Sequence, residues 1–175
     1  MFREAYDAIL VHLKEGPWYR DARISDGKNV RTQYNNLQAF WPGLQTDIGH
    51  ISDAVDSLNA VHSLWRKFGF TPEHYDWKKR RLIGSSGRRE YPLRPEMVES
   101  IYHVHEYFKA HGDEAVASSW IEAGRVVLES LEKTRVTCGY ASVKNVETTE
   151  LEDNMPSFFL SETLKYLYLL FDTDN

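Results

Sequence analysis

Cysteine is almost absent from this sequence, and the shortage excludes one means of stabilising a fold. Cys138 is the single cysteine among the 175 residues, so no internal disulfide bond can form. An excess of basic residues is missing too, because 26 Asp and Glu outnumber 21 Lys and Arg and leave a net charge of −5. A chain with this balance has no overall positive field that would attract nucleic acid, and we expect no nucleic-acid partner.

Long hydrophobic runs are also lacking. The longest, YLYLLF, is far too short to span a membrane. The first residues, MFREAYDAILVHL, place charged side chains inside an apolar pattern, which is typical of an amphipathic helix and not of a signal peptide. A helix that starts at residue 2 leads us to expect that the chain begins in the middle of a larger fold.

The motifs of several enzyme classes are missing as well. The seven histidines are scattered, and His103 and His105 would point to different faces of a helix, so we expect no zinc site. The segment IGSSG lacks the lysine and the following helix of a phosphate-binding loop. The basic residues on both sides of IGSSG fit a solvated hairpin or loop better than a binding patch.

Aromatic residues are abundant, and apolar residues recur at helical spacing through most of the chain. The aromatic share of 13% suits a packed helical core or a pocket that stacks on sugar rings. Helix–loop–helix organisation throughout predicts a mainly α fold, a bundle or toroid of helical hairpins. The predicted helices cover residues 2–15, 36–48 with an interruption at Pro42 and Gly43, 51–68, 94–110, 113–132 and 157–171.

The remaining segments and the helix ends carry more local signals. Asp26-Gly27 predicts a β-hairpin, residues 137–147 read as extended, and residues 148–156 read as a polar loop. Ser52 and Asp113 are the predicted N-caps of their helices, and Gly69 is predicted to end the helix over 51–68. The last helix is apolar around nearly its whole circumference, which predicts burial on several sides.

Four carboxylates are the candidates for chemistry. Glu96 and Glu99 share one helix face, Glu162 interrupts the most apolar helix, and Glu73 follows Pro72 in an aromatic-rich loop. Each also has an ordinary structural interpretation. Glu96 and Glu99 could favour a helix N-terminus, Glu162 could lie on a narrow polar stripe, and Glu73 could be a surface acid.

Several segments together resemble one enzyme family. YPLRPEMVES, CGYASVKNVE and SFFLSETLKYLYLLF are similar to glycoside hydrolase family 47, the inverting α-1,2-mannosidases. NLQAFWPGLQTDIG and LWRKFGFTPEHYDW look most like the branch of ER degradation-enhancing α-mannosidase-like proteins. The resemblance implies part of an (α/α)7 barrel of helical hairpins with small β-hairpins. It implies that residues 1–175 are an incomplete catalytic domain, with a Ca²⁺ ion at the bottom of the barrel.

The resemblance also implies roles for individual residues. Glu96 matches the catalytic base, which in an inverting enzyme activates a water molecule and must be ionised. Glu99 and Glu162 match acids that hold calcium through water, while the direct threonine ligand is expected beyond Asn175. The general acid is expected before Met1. The residues that match substrate-binding positions are Arg94, Pro95, Glu73, Phe158 and Glu162.

Three positions depart from the family pattern and leave alternatives open. Pro156 stands where an acid is usual, Asn154 where a basic residue or histidine is common, and Asn36 where the processing mannosidases have a histidine. The first hypothesis is an α-1,2-mannosidase-like hydrolase of the ER lumen that trims high-mannose N-glycans of misfolded glycoproteins, with the rest of the catalytic domain as partner. The second is an inactive glycan-binding or chaperone-like module, and the third is a helical interaction domain.

Overall fold

The structure is a computed structural model that describes residues 1–84 and 88–172. The last three residues of the IGSSG segment, 85–87, therefore lie outside the described residues. A 3₁₀ turn covers Asn36–Phe40 and a π-helix covers Phe159–Thr163. The α-helices are α1 Phe2–His12, α2 Trp41–Asp47, α3 Ile51–Phe68, α4 Glu96–Ala110, α5 Glu114–Glu132 and α6 Leu164–Phe171.

The strands are short, and most of them form two-stranded antiparallel hairpins. β1 pairs with β2, β3 with β4, β8 with β9 and β10 with β11, while β5, β6 and β7 form one three-stranded sheet. The strands are β1 Lys14–Glu15, β2 Trp18–Tyr19, β3 Asp21–Ala22, β4 Asn29–Arg31, β5 Gln33–Asn35, β6 His74–Asp76, β7 Arg81–Leu82, β8 Arg135–Val136, β9 Gly139–Tyr140, β10 Ser142–Asn145 and β11 Glu150–Glu152.

The core forms around α4, which contacts α2, α3, α5 and α6. Val98, Ile101 and Val104 recur at helical spacing and are fully buried, so they supply the inner face of α4. An aromatic cluster from the neighbouring segments adds to this core. Trp65 packs against Phe70 and makes a T-shaped contact with Tyr91. The sequence prediction of a mainly α fold built from helical hairpins with small β-hairpins is confirmed.

Local chemistry explains where the long helices begin and end. Gly69 ends α3 with φ of 82°, a left-handed conformation that glycine adopts without steric cost. The Asp113 side chain accepts a hydrogen bond from the Val116 N–H and caps α5. The prediction for Ser52 is wrong, because the Ala54 N–H already bonds to the His50 carbonyl and the helix therefore begins before Ser52.

The segment over 36–48 and the hairpin predictions had mixed outcomes. Pro42 does not break a helix but lies in the first turn of α2, where backbone N–H groups have no acceptor within the helix and the missing N–H of proline costs no hydrogen bond. The turn at Asp26-Gly27 joins β3 to β4 as predicted, with Gly27 at φ of 66°. The interpretation of 148–156 as a loop missed β11, because all three residues of this strand are exposed and give no apolar alternation.

The last helix differs most from its prediction. It opens as a π-helix, in which the hydrogen bonds close wider turns, before it continues as α6. It contacts α4 and α5 through one face, so Phe159, Leu167 and Leu170 are buried. Leu160 and Tyr168 are 57% and 68% exposed, so the prediction of burial on several sides is wrong for the described part of the chain.

Among residues 1–84 and 88–172, no helix is both long enough and apolar enough to cross a membrane.

The contact between α5 and α6 predicts that Gly124 cannot carry a side chain. A Cβ at Gly124 would overlap Cδ2 of Leu170, whose side chain is buried in the core. We expect Gly124→Ala to lower the free energy of unfolding by about 1–2 kcal/mol, because overpacking outweighs the gain in helix propensity.

Urea denaturation measures this change, and Ser118→Ala on the exposed face of α5 is the matched control. The control should leave stability unchanged or slightly higher. An equal or higher stability of Gly124→Ala would contradict the close approach of α6.

Candidate active site

The candidate site is organised around an ion pair between two distant segments of the chain. Arg94 Nε donates to Glu73 Oε1 at 2.5 Å and Arg94 Nη2 donates to Glu73 Oε2 at 3.1 Å. The side chains are only 22% and 11% exposed, so the pair is poorly screened by water. This bidentate pair joins the loop before β6 to the segment before α4.

The backbone before α4 is bent so that Arg94 leaves the core. Leu93 has φ of 58°, a left-handed conformation that is uncommon for leucine, while its side chain is fully buried. Two hydrogen bonds hold this bend: the Tyr91 hydroxyl donates to the Arg94 carbonyl at 2.9 Å, and the Thr163 hydroxyl donates to the Leu93 carbonyl at 2.7 Å. Strained backbone held in this way is a common feature of functional sites.

Glu96 is the first residue of α4 and follows the buried Pro95. Its side chain is 16% exposed, and Oε2 is buried with no hydrogen-bond partner among the described residues. Arg94 Nη1 lies 4.0 Å from Glu96 Oε1. The geometry therefore leaves one carboxylate oxygen free to accept a hydrogen bond from a bound molecule.

Burial raises the pKa of Glu96 above the ordinary value of 4.5. The carboxylates of Glu73 and Glu162 raise the pKa further, while the Glu96 backbone N–H and Arg94 act in the opposite direction. A carboxylate with a raised pKa is a stronger base once it is ionised. Burial and neighbouring charge thus favour proton transfer at this position.

Glu99 lies one turn further along α4 and is held by a tyrosine from α6. The Tyr166 hydroxyl donates to Glu99 Oε1 at 2.8 Å. Burial, followed by the contact with Glu99, raises the pKa of Tyr166 to about 12. Sequence reasoning did not identify Tyr166, because its apolar surroundings gave it the appearance of one more core aromatic.

Phe158 and Glu162 complete the group from the segment around the π-helix. The Arg94 guanidinium carbon lies 5.9 Å from the centre of the Phe158 ring, within range of a cation–π contact. Glu162 is exposed, yet its charge acts on both Glu96 and Tyr166. The structure therefore gathers all the residues that the sequence proposed: Glu73, Arg94, Pro95, Glu96, Glu99, Phe158 and Glu162.

Asn36, one of the departures from the family pattern, lies directly behind this group. Its backbone N–H donates to the Glu73 carbonyl at 2.9 Å, and the Tyr34 hydroxyl donates to Asn36 Oδ1 at 3.0 Å. Asn36 is 1% exposed, and its Nδ2 has no partner in the described part of the chain. The backbone N–H of Asn36 thus supports the Glu73 loop, while its side chain is held by Tyr34.

The described residues do not form a direct metal cage. Within 1–84 and 88–172, no three His, Cys, Asp or Glu side chains are grouped so that they could hold an ion directly. Glu99 and Glu162 could act on a cation only through water, and oxygen-rich calcium shells commonly include water. This water-mediated role stays a prediction.

The buried position of Glu96 predicts that its charge destabilises the fold. The pKa of Glu96 is higher in the folded protein than in the unfolded chain, so folding favours the protonated carboxyl group. The protein therefore loses stability as the pH rises from the ordinary pKa of glutamate through the raised pKa of the folded state. We expect Glu96→Gln to be more stable than wild type near pH 7 and to lose this advantage near pH 4, as measured by melting temperature.

The matched control is Glu114→Gln, because Glu114 is the exposed first residue of α5 as Glu96 is the first residue of α4. An exposed carboxylate is not desolvated by folding, so this variant should show no comparable advantage. If the difference in melting temperature between Glu96→Gln and wild type were the same near pH 4 as near pH 7, the prediction would be contradicted.

The ion pair of Arg94 and Glu73 predicts strong energetic coupling. In a double-mutant cycle with Arg94→Met and Glu73→Gln, we expect a coupling energy of about 1–3 kcal/mol, because either single change leaves a largely buried charge unpaired. Lys78 and Glu15 form an exposed pair at 3.0 Å and provide the control cycle. Their coupling should stay below about 1 kcal/mol, and equal coupling in the two cycles would refute the prediction.

Comparisons with known proteins address the identity of the chain. A family model described as Glycosyl hydrolase family 47 matches residues 1–175. Alpha-mannosidase I MNS4 of Arabidopsis thaliana is 40% identical over 173 residues, which cover 98% of this chain and 26% of that protein. ER degradation-enhancing alpha-mannosidase-like protein 2 of Homo sapiens is 38% identical over 176 residues, which cover 100% of this chain and 29% of that protein.

A solved structure supports the fold. The alpha-1,2-mannosidase from Trichoderma reesei matches with a TM-score of 0.77 and 22% identity, covering 98% of this chain and 41% of that one. The chain thus has the fold of part of an (α/α)7 barrel, as predicted. It spans 26% and 29% of the two relatives described above. Since the family model matches the chain from end to end, the chain belongs to glycosyl hydrolase family 47 and is related to the ER degradation-enhancing α-mannosidase-like proteins.

Proposed function

We propose that this chain is part of an inverting, calcium-dependent α-1,2-mannosidase-like hydrolase of the ER lumen. Its substrates are high-mannose N-glycans on misfolded glycoproteins that enter ER-associated degradation. Membership of the family and the names of the relatives support this proposal. The observation that carries it is the Glu73–Arg94–Glu96 cluster, in which one buried oxygen of Glu96 is free to accept a proton.

Glu96 acts as the general base. Its unpaired Oε2 accepts a hydrogen bond from the attacking water and then the proton that this water loses as it adds to the sugar carbon. Arg94, 4.0 Å away, favours the ionised carboxylate that the reaction needs, while burial strengthens it as a base. These opposing influences fit a base that is ionised near neutral pH and still takes up a proton readily.

The other residues of the cluster bind and orient the terminal mannose. Phe158 offers an apolar face beside the Arg94 guanidinium, an arrangement suited to the apolar face of a sugar ring. Glu73 and Arg94 fix each other, so their remaining hydrogen-bonding atoms keep a defined direction towards sugar hydroxyls. Pro95 is buried and holds the entry to α4 rigid.

Glu99 and Glu162 would hold a calcium ion through water, with Tyr166 fixing the position of Glu99. When bound, calcium orients sugar hydroxyls and offsets the negative charge of the surrounding carboxylates. Because the chain spans 26% and 29% of the two relatives, we propose that it forms one part of the catalytic domain. Residues outside it then supply the general acid and the direct calcium ligand.

The alternative function is a mannose-glycan-binding module without turnover. Asn36 favours it, because it stands where the processing mannosidases have histidine and its buried side chain leaves Nδ2 unpaired in the described part of the chain. In this case the cluster would bind mannose while hydrolysis is absent. Both functions predict that the glycan is bound, but only the enzyme releases mannose. Glycan binding and mannose release must therefore both be measured.

The enzyme hypothesis predicts loss of turnover with retained binding. In the full-length protein we expect Glu96→Gln to lower mannose release from a high-mannose N-glycan by roughly 10²–10⁴-fold, the usual contribution of a general base. Glycan binding, measured by isothermal titration calorimetry, should persist. Removal of calcium by a chelator should also lower release.

Glu114→Gln is the control and should release mannose at the wild-type rate, since Glu114 is exposed on the first turn of α5. Undiminished release by Glu96→Gln would refute its role as the base. Glycan binding by wild type without any release would favour the binding module.

A further inference from the structure

A cavity whose lining contains no residue of the Glu96 cluster lies beside the three-stranded sheet. It measures about 810 Å³ and lies between the chain that runs from β4 into β5 and the edge strand β7. Residues 29–33 form one wall, and residues 81–84 form the opposite wall. The first wall is extended over five residues, which corresponds to a length of about 16 Å.

The cavity is strongly basic, although the chain as a whole carries a net charge of −5. Among the described residues that line it, Asp76 is the single acid. Lys79 pairs with Asp76 at 4.0 Å, and Arg89 pairs with Glu147 at 2.5 Å. The cationic side chains in the lining are Arg31, Lys79, Arg81, Arg88 and Arg89.

Three of these cations have no acidic partner in the described part of the chain. Arg31, Arg81 and Arg88 form no ion pair there, and all three are exposed. Arg88 is directed across Gly84, where a Cβ would come within 2.8 Å of Arg88 Cδ. Three unpaired guanidinium groups around one cleft repel one another, so an anionic ligand would be bound favourably.

We propose that this cleft binds an acidic, extended stretch of polypeptide. Guanidinium groups form paired hydrogen bonds with carboxylates, and three of them, Arg31 on the first wall and Arg81 and Arg88 on the other side, match several acidic side chains better than one compact ion. No aromatic residue occurs among the described lining residues, so the cleft offers no stacking surface for sugars or nucleic-acid bases. The remaining lining is polar or aliphatic and suits an ordinary peptide backbone.

The cleft and the candidate active site share one short strand. Glu73 directly precedes β6, and His74, the first residue of β6, has a pKa lowered by burial and also by the charges of Arg88 and Arg31. The Arg88 carbonyl accepts a hydrogen bond from the His74 N–H at 2.9 Å. A polypeptide in the cleft would therefore lie close to a glycan at Glu96. The binding itself requires no hydrolysis, so it can be tested independently of the proposed function.

The test is fluorescence anisotropy with a labelled peptide of about ten residues that alternates Glu and Gly, a length that spans the cleft. The same peptide with Gln in place of Glu is the uncharged probe. Wild type should bind the acidic peptide with an affinity that falls as salt is raised, and should bind the Gln peptide far more weakly. The combined change Arg31→Ser, Arg81→Ser and Arg88→Ser should weaken binding at least about tenfold, equal to about 1.4 kcal/mol.

The matched control removes three exposed cations elsewhere: Arg3→Ser, Arg66→Ser and Lys133→Ser. It has the same net charge as the cleft variant and should weaken binding less than about twofold, because distant exposed charges are screened. The lysine version, Arg31→Lys, Arg81→Lys and Arg88→Lys, keeps the charge and should bind between wild type and the serine variant. Melting temperatures verify that each variant is folded.

Three outcomes would overturn the proposal. The first is no binding of the acidic peptide by wild type. The second is an equal loss in the cleft variant and the control variant, which would show a response to net charge alone. The third is displacement of the peptide by inorganic phosphate, mannose 6-phosphate or anionic lipid vesicles that bind more tightly than the peptide, which would assign the cleft to phosphate groups.

Discussion

The guanidinium group of Arg94 connects the three chain segments from which the candidate site is built. It forms two hydrogen bonds with Glu73 from the loop before β6, approaches Glu96 at the start of α4, and lies over Phe158 before the π-helix. A lysine could not replace it, because an ammonium group lacks the planar fork that serves a carboxylate and a ring at the same time. The distances among the acids of the site therefore depend on this one cation.

The site is held in a state that is locally unfavourable. The left-handed backbone at Leu93 costs about 1–2 kcal/mol for a residue with a Cβ, and burial of the Glu96 carboxylate opposes its ionisation. Hydrogen bonds from Tyr91 and Thr163 and the packing of α4 against its neighbours offset these costs. Rigid surroundings of this kind let the base keep its buried reactive oxygen unpaired without collapse onto a nearby donor.

The sequence predicts those features that depend on neighbouring residues. Gly69 and Asp113 mark helix ends by their own conformational and hydrogen-bonding preferences, and the run of acids from Glu96 follows from the family motif. Features that depend on distant contacts could not be read in this way. Examples are the bond from Tyr166 to Glu99, the exposed strand β11 and the π-helix, since none leaves a periodic pattern in its own segment. Ser52 shows the same limit, because a backbone bond to His50 fixed the start of α3 first.

The two charged regions lie on either side of a strand that is only three residues long. Because β6 spans about 10 Å, the negative field of the acids around Glu96 and the positive field of the cleft around Arg88 oppose each other at short range unless one of the two groups is neutralised locally. The acids are partly neutralised by Arg94, whereas the cleft keeps unpaired guanidinium groups in the described chain. This asymmetry suits a ligand with an uncharged sugar end and an acidic polypeptide end. The sugar is attracted by neither charged region, and the polypeptide is attracted only by the basic cleft. The proposed glycoprotein substrate would have these two parts in one molecule, and the charge distribution would then favour the orientation that brings its glycan towards Glu96.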